Sequence, residues 1–340
     1  MRLPIFQKKV RDHLVLSWTP GQLAYVQARS QRGGKSVIER FGVERQGVDT
    51  DEDFAKRLAN LNFKGSQATA VLLPEQYQIF QIDTPSVAPD ELRTAARWQI
   101  RDMVDTHLDD LTLDVLRVGD ESVRGSGSLF VVTAANAAIQ EVLNIGETLG
   151  CTIDVIDVQD MAQRNIQSAL ARANGKLDRA QAAIVLVDER QALLTISANE
   201  ELFYTRRIDM GTDFGRPGGA PNPFALAPQG EKSNEFSYEM ADDGQTSVED
   251  DRMQRFLVEI QRSLDLWGRS WPMMALDSVS VYDGPRSAEL AQWLEQGIGV
   301  AVAPLDVGRL FDGLETDAQA DLGVCWPLLG ALLRSETHKL

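Results

Sequence analysis

Short apolar runs separated by turn residues open the chain. Residues 14–16, 23–28 and 37–43 are such runs, divided by Pro20-Gly21 and Gly33-Gly34, and this spacing predicts three consecutive antiparallel strands. A polar helix is expected over about 51–61, followed by strands at 70–73 and 77–82 on either side of Pro74. After a break at 85–89, Pro89 suits a first helical position, and Leu92, Ala96, Ile100, Met103 and Val104 form one apolar stripe. The alternation of Leu111, Leu113 and Val115, the run 129–132, the stripe Ile139, Val142, Leu143, Gly146 and Leu149, and the run 153–158 then predict strand, strand, helix, strand.

The second half begins with a helix over about 160–172 and three hairpin-linked strands at 182–187, 192–196 and 202–208. It therefore opens as the first half does, a weak internal duplication of one supersecondary unit. Residues 211–247 are rich in Gly, Pro, Asn, Asp and Ser and are expected to form a long, largely disordered insertion. Ser247 is the expected cap of a helix with Glu249, Asp250 and Asp251 in its first turn and Met253, Phe256, Leu257, Ile260, Leu264 and Trp267 along its buried side. A strand at 279–282, a Gly284-Pro285 turn, a helix near 287–294, a strand at 300–303 and a closing helix through 328–333 complete the second α/β half.

Composition narrows the function. At 340 residues and 43% hydrophobic content the chain fills more than one core. A net charge of -16 repels phosphate backbones and anionic lipid, so nucleic acid and membrane surfaces are unexpected partners unless a local basic patch exists. The two cysteines, Cys151 and Cys325, each sit in an apolar run, which points to reduced, buried thiols and a cytoplasmic location. No stretch reaches the roughly 20 apolar residues of a spanning helix, so a transmembrane segment is not expected. Residues 1–12 combine Leu3, Phe6 and Val10 with Arg2, Lys8, Lys9 and Arg11; they are read as an N-terminal leader, with a surface-binding segment as the alternative.

Other chemistry is sparse. His13, His107 and His338 show no metal-ligand spacing, Asp105, Asp109 and Asp110 lack the pattern of a calcium loop, and Arg206-Arg207 is expected as a solvated pair at a strand end. Trp98 lies at the margin of the Leu92 stripe, either facing a peptide groove or packing in the core.

Several segments resemble the PilM/MshI family of type IV pilus biogenesis proteins. They are Glu91-Leu92-Arg93-Thr94-Ala95-Ala96-Arg97-Trp98-Gln99-Ile100-Arg101-Asp102, the run 156–165 ending in Ala162, Arg164 and Asn165, Glu259-Ile260-Gln261-Arg262-Ser263-Leu264, and the closing Gly330-Ala331-Leu332-Leu333-Arg334. The resemblance implies an α/β, actin-like (ribonuclease H-like, duplicated) two-lobed fold related to FtsA, with a small inserted α/β subdomain. The implied bounds are a leader at 1–12, a first lobe at 13–85, the inserted subdomain at 86–158, and the rest of the first lobe with the second at 159–340, interrupted at 211–247. It also implies a cytoplasmic scaffold of an MSHA-type pilus machine. Such a scaffold associates with the inner membrane by binding the tail of a PilN-like protein, with Arg97, Trp98 and Arg101 as candidate contacts, and connects to assembly-platform and motor components.

An actin-type nucleotide site needs an acidic residue for magnesium-bound water and glycine turns whose N–H groups approach phosphate. The corresponding positions here are Ser17, Gly21, Asp188 and Gly284. Pro20 brings no N–H, Asp188 is followed by Glu189 rather than glycine, and Gly284 is followed by Pro285. A degenerate site without cofactor, and no enzyme activity, is therefore expected. The rival is an ATP- and magnesium-using actin-family ATPase or small-molecule kinase. The cytoplasmic domain of a type II secretion protein is a third reading, though such proteins continue into a transmembrane helix.

Overall fold

The computed structural model describes residues 12–29, 35–118, 127–186, 190–210, 243–314 and 319–334. The chain divides into two compact units, one of residues 1–170 with 307–340 and the other of 171–306.

The first unit opens with the antiparallel meander β1 (Asp12–Thr19), β2 (Gln22–Arg29) and β3 (Ser36–Arg45), in which Val15 faces Val26 and Tyr25 faces Gly42. Helix α1 (Asp51–Ala59) follows. Its start is set by Thr50, whose hydroxyl accepts from the Asp53 N–H at 3.2 Å, and by the three carboxylates of its first turn. Strand β4 (Gln67–Leu72) then runs parallel beside β1.

A small module comes next: β5 (Tyr77–Asp83), α2 (Leu92–Gln99), β6 (Leu111–Val118) and β7 (Ser128–Ala135), the three strands forming an antiparallel sheet of order β5-β7-β6. Ile82, Leu92, Ala96, Ile100, Leu113, Val115, Leu129 and Val131 make its core. Helix α3 (Asn136–Leu149) leads to β8 (Thr152–Val158), which pairs in parallel with β4 in the larger sheet, and α4 (Gln159–Ala173) follows at once.

The second unit repeats the plan. Strands β9 (Ala180–Leu186), β10 (Gln191–Ala198) and β11 (Glu201–Asp209) form a meander, and α5 (Asp243–Ser270), β12 (Leu276–Tyr282), α6 (Ser287–Ile298) and β13 (Val302–Pro304) complete it. The chain then returns to the first unit through β14 (Phe311–Asp312), which lies parallel beside β3, and α7 (Gln319–Leu332). The sheet orders are β14-β3-β2-β1-β4-β8 and β11-β10-β9-β12-β13. Apart from β14 they are the same path walked twice: meander, helix, and two parallel strands added on the far side of the first. The duplication expected from the strand pattern is present.

Consecutive buried residues show which strands are covered on both faces. Leu14, Val15 and Leu16 are each at most 2% exposed, and both α3 and α7 pack against β1. In the second unit Ala182, Ala183, Ile184 and Val185 are likewise consecutive and buried.

Four boundaries differ from the sequence expectation. The inserted module begins at β5, not at 86, and ends before β8, because β5 pairs with β7 whereas β8 pairs with β4. Helix α2 ends at Gln99 with Ile100 as its cap residue, so of the last two stripe residues Met103 is half exposed, while Val104 packs against the module's core from beyond the helix. Helix α5 starts at Asp243, four residues before the expected Ser247 cap, so the proposed insertion at 211–247 ends in helix; residues 211–242 lie outside those described, as does the leader to residue 11. The closing helix packs on β1, β2, β3 and β4, and so belongs to the first unit rather than the second.

Candidate functional site

The first expected nucleotide turn is the β1–β2 connection. Pro20 and Gly21 form it between the paired residues Thr19 and Gln22, and Gly21 has φ +78°, the left-handed value a type II turn requires at its second central position. Proline has no N–H, so of the two central residues only Gly21 retains a donor. The Gly21 carbonyl accepts from the Gln46 N–H at 2.8 Å, which ties the turn to the end of β3. Ser17 is not part of this turn: it sits in the body of β1 opposite Ala24 and is 3% exposed. Trp18 stacks on Phe54 of α1, centroids 6.1 Å apart, and its carbonyl accepts from the Gln76 amide at 2.8 Å. Trp18, at the end of β1, thus pins α1 onto the meander.

The second turn, with Asp188, lies outside the described residues. The third, Asp283-Gly284-Pro285-Arg286, is closed by its own groups. The Asp283 N–H donates to Ser287 Oγ at 2.9 Å, the Ser287 hydroxyl donates to the Gly284 carbonyl at 2.7 Å, and the Arg286 N–H donates to the Asp283 carbonyl at 3.0 Å. Gly284, at φ +52°, has open space where a Cβ would be. Since Pro285 has no N–H, Gly284 holds the one uncommitted main-chain donor of the turn. Burial raises the Asp283 carboxyl above the usual carboxylate range, and the Arg286 guanidinium beside it pulls the other way. Each described turn therefore presents a single central N–H, against the run of successive donors in a phosphate nest.

The expected partner-facing residues lie on and just after α2. Arg97 donates to the Leu108 carbonyl and lies 3.5 Å from Asp109, so it holds α2 to the turn at 108–110. Arg101 pairs with its neighbour Asp102 at 3.1 Å on the surface. Trp98 is 63% exposed, so its ring faces outward and does not pack in the core. Met103 is exposed as well. Arg206, expected as solvated, instead bonds Glu259 of α5 and lies 3.4 Å from Ser263 Oγ.

Two features were not singled out from sequence. One is a groove of about 420 Å³ between α1 and α3, with Trp18, Phe54 and Ile145 on its walls and Asp51 and Glu141 among its polar lining. The other is a row of buried polar side chains on α4: Gln159, Asp160, Gln163, Arg164, Asn165, Gln167 and Ser168, all under 9% exposed. Asp160 accepts from the Tyr77 hydroxyl, and the Gln159 side chain has neither oxygen nor nitrogen hydrogen-bonded. A polar run directly after an apolar strand was the available signal, but an amphipathic helix gives the same pattern. Among the described residues no group of three or more His, Cys, Asp or Glu is placed to hold a metal, and no helix is long and apolar enough to cross a membrane.

No protein-family model matches the sequence, and no curated protein matches it. Solved structures do. A chain of a PilM-PilN type IV pilus biogenesis complex is 15% identical, with 96% of this chain and 99% of that chain covered, at a TM-score of 0.64. The cytoplasmic domain of EpsL, an inner-membrane component of the type II secretion system of Vibrio cholerae, is 11% identical over 73% of this chain and 95% of its own, at 0.41. A Bacteroides thetaiotaomicron protein with an actin-like ATPase fold is 7% identical over 89% and 94%, at 0.43. At these identities the likeness is one of fold, and the fold is α/β and actin-like, each unit carrying the same meander-and-crossover sheet.

Proposed function

We propose that this chain is a cytoplasmic scaffold of a type IV pilus assembly machine, of the MSHA type, that holds the cytoplasmic tail of a PilN-like inner-membrane protein and connects it to platform and motor components. The observation that carries this reading is the near-complete two-way coverage, 96% and 99%, against a chain of the PilM-PilN complex. The motif resemblances, spread from α2 to α7, support the same assignment and its MshI branch.

Peptide capture has surfaces to use. Trp98 stands exposed on the inserted module, with Arg101 close by, and the α1–α3 groove offers apolar walls and carboxylates. Nucleotide turnover has less. A turn that spends one central residue on proline, and another whose donors are mostly closed internally, favour a degenerate site that needs no cofactor. The rival ATPase or small-molecule kinase draws support from Gly21 and Gly284, which keep the left-handed turns that a phosphate loop uses.

Isothermal titration separates the readings. The purified chain is titrated with a synthetic tail of the PilN-like neighbour, and separately with ATP and magnesium. Tail binding without nucleotide binding is the expected result. Magnesium-dependent ATP binding with turnover, and no tail binding, would replace the scaffold by the enzyme.

A further inference from the structure

The strongly acidic chain carries one helix whose outer side has the opposite character. On α5, Arg255, Val258, Arg262, Leu266 and Arg269 recur at intervals of three and four, and so share one face. Arg252 precedes them by one turn. Val258 is 37% and Leu266 45% exposed, two apolar side chains left open between guanidinium groups. From Arg252 to Arg269 the stripe runs about 25 Å along the helix.

At one end the stripe sinks into a groove of about 740 Å³, lined by Arg252, Arg255, Arg262, Val258 and Met210, with two carboxylates, Glu259 of α5 and Asp209 of β11. Met210 is buried in the floor, and Val258 stands on the wall. Glu259 is bonded by Arg206 and by Arg262, the latter at 2.7 Å, so the one carboxylate of α5 in the groove is already neutralised.

We propose that this groove and stripe dock an acidic peptide segment of a partner protein, one that places an apolar side chain over Met210 and Val258 and its carboxylates on Arg252, Arg255 and Arg262. Charge complementarity selects the occupant: the whole chain carries -16, so a concentration of arginines with exposed aliphatic groups is set against the rest of the surface. Shape selects a peptide over a bilayer. An anionic membrane is met by a convex face, whereas Arg252, Arg255 and Arg262 line a concavity. Spacing selects it over a polyphosphate, because guanidinium groups strung along a helix with aliphatic residues between them match a chain of spaced carboxylates and apolar anchors.

The test uses the full chain and a fluorescently labelled peptide of about ten residues, mostly Glu with two Leu, read by anisotropy. The same peptide with Gln for Glu, inorganic polyphosphate, and vesicles containing phosphatidylserine are the comparison arms. The Glu peptide is expected to bind, to weaken as salt rises, and to lose about tenfold or more in affinity in an R252E/R255E double variant and in Val258→Asp. Arg93→Glu, on α2, is expected to leave it unchanged. Thermal melts accompany each variant, and Arg255→Gln serves where the charge reversals do not fold. Equal binding of the Gln peptide, undiminished binding by folded groove variants, or groove-dependent binding of vesicles or polyphosphate in place of the peptide would each overturn the proposal.

Discussion

Gly330 and Ala162 are in backbone contact: a Cβ built on Gly330 would stand 2.0 Å from the Ala162 carbonyl oxygen and 2.4 Å from its carbonyl carbon. Helices α7 and α4 therefore meet at a point where no side chain fits. Around it, the Asn165 amide donates to the Gly330 carbonyl at 3.1 Å, and Arg334 reaches Asp157 at 2.7 Å. The segments 156–165 and 330–334, both quoted above for their family resemblance, are thus the two sides of one packed junction. Their residue types follow from the geometry of that junction, with glycine for approach, asparagine for the carbonyl, and arginine for the buried carboxylate.

Gly330→Ala is expected to destabilise the chain by about 3 kcal/mol or more, because a backbone carbonyl cannot move aside as a flexible side chain can. Gly323→Ala, in the same helix but exposed and with no atom within 4 Å of the added carbon, is expected to stabilise by about 0.5–1 kcal/mol. Urea unfolding of both variants checks the pair. Equal effects would mean that α7 does not meet α4 as described.

Asp157 is nearly buried, its side chain 4% exposed, while Arg334 is 28% exposed. Replacing Arg334 by Met leaves the carboxylate without its cation, and a loss of about 2–4 kcal/mol is expected. Asp157→Asn in the same chain is expected to recover part of that loss, since the desolvated charge is then gone. The double-mutant cycle measures this, and strict additivity would argue that the pair is not coupled.

Element type was legible in the sequence, and partnership between elements much less so. The strands at 77–82 and 153–158 are short apolar runs of the same kind, yet β5 joins the three-stranded sheet and β8 the six-stranded one, because hydrophobic period reports burial and not the neighbour. The path of the second sheet was foreseeable because its meander copies the first. At the candidate sites, Pro20 and Pro285 could be judged by chemistry alone, since a missing N–H needs no coordinates. Ser17 could not, since the apolar run ends at Leu16 whereas β1 continues through Ser17 and Trp18 to Thr19 before the turn. The arginine groove escaped notice because Arg252, Arg255 and Arg262 are diluted among carboxylates along the sequence and converge only on the helix face.

The two thiols provide a pH test. Burial pushes the Cys325 thiol up to about 12, against which its contacts with the Gly42 and Tyr25 carbonyls, both at 3.6 Å, locate it between β2 and β3; burial raises Cys151 as well. An acid with a raised folded pKa favours the neutral thiol in the native state. Its contribution to stability is whole below the unfolded value near 9 and is lost as pH climbs toward 12. Stability is therefore expected to fall across that alkaline window, and less steeply in Cys325→Ala. Thiol titration with a disulfide reagent at pH 8 is expected to detect both cysteines rapidly in denaturant and neither rapidly in the native chain.

The proposed tail capture has two candidate surfaces. If Trp98 is the anchor, Trp98→Ala removes a largely exposed ring whose loss leaves no cavity, so stability should stay within about 0.5 kcal/mol while tail affinity falls about tenfold or more. If the α1–α3 groove is the seat, Ile145→Asp places a charge on an apolar wall and weakens the tail instead, with Trp98→Ala neutral. The outward position of Trp98 favours the first outcome, since a large ring held in water gains most from being covered by a partner. Titration of the synthetic tail into both variants decides it, and unchanged affinity in both would remove these surfaces from the capture mechanism.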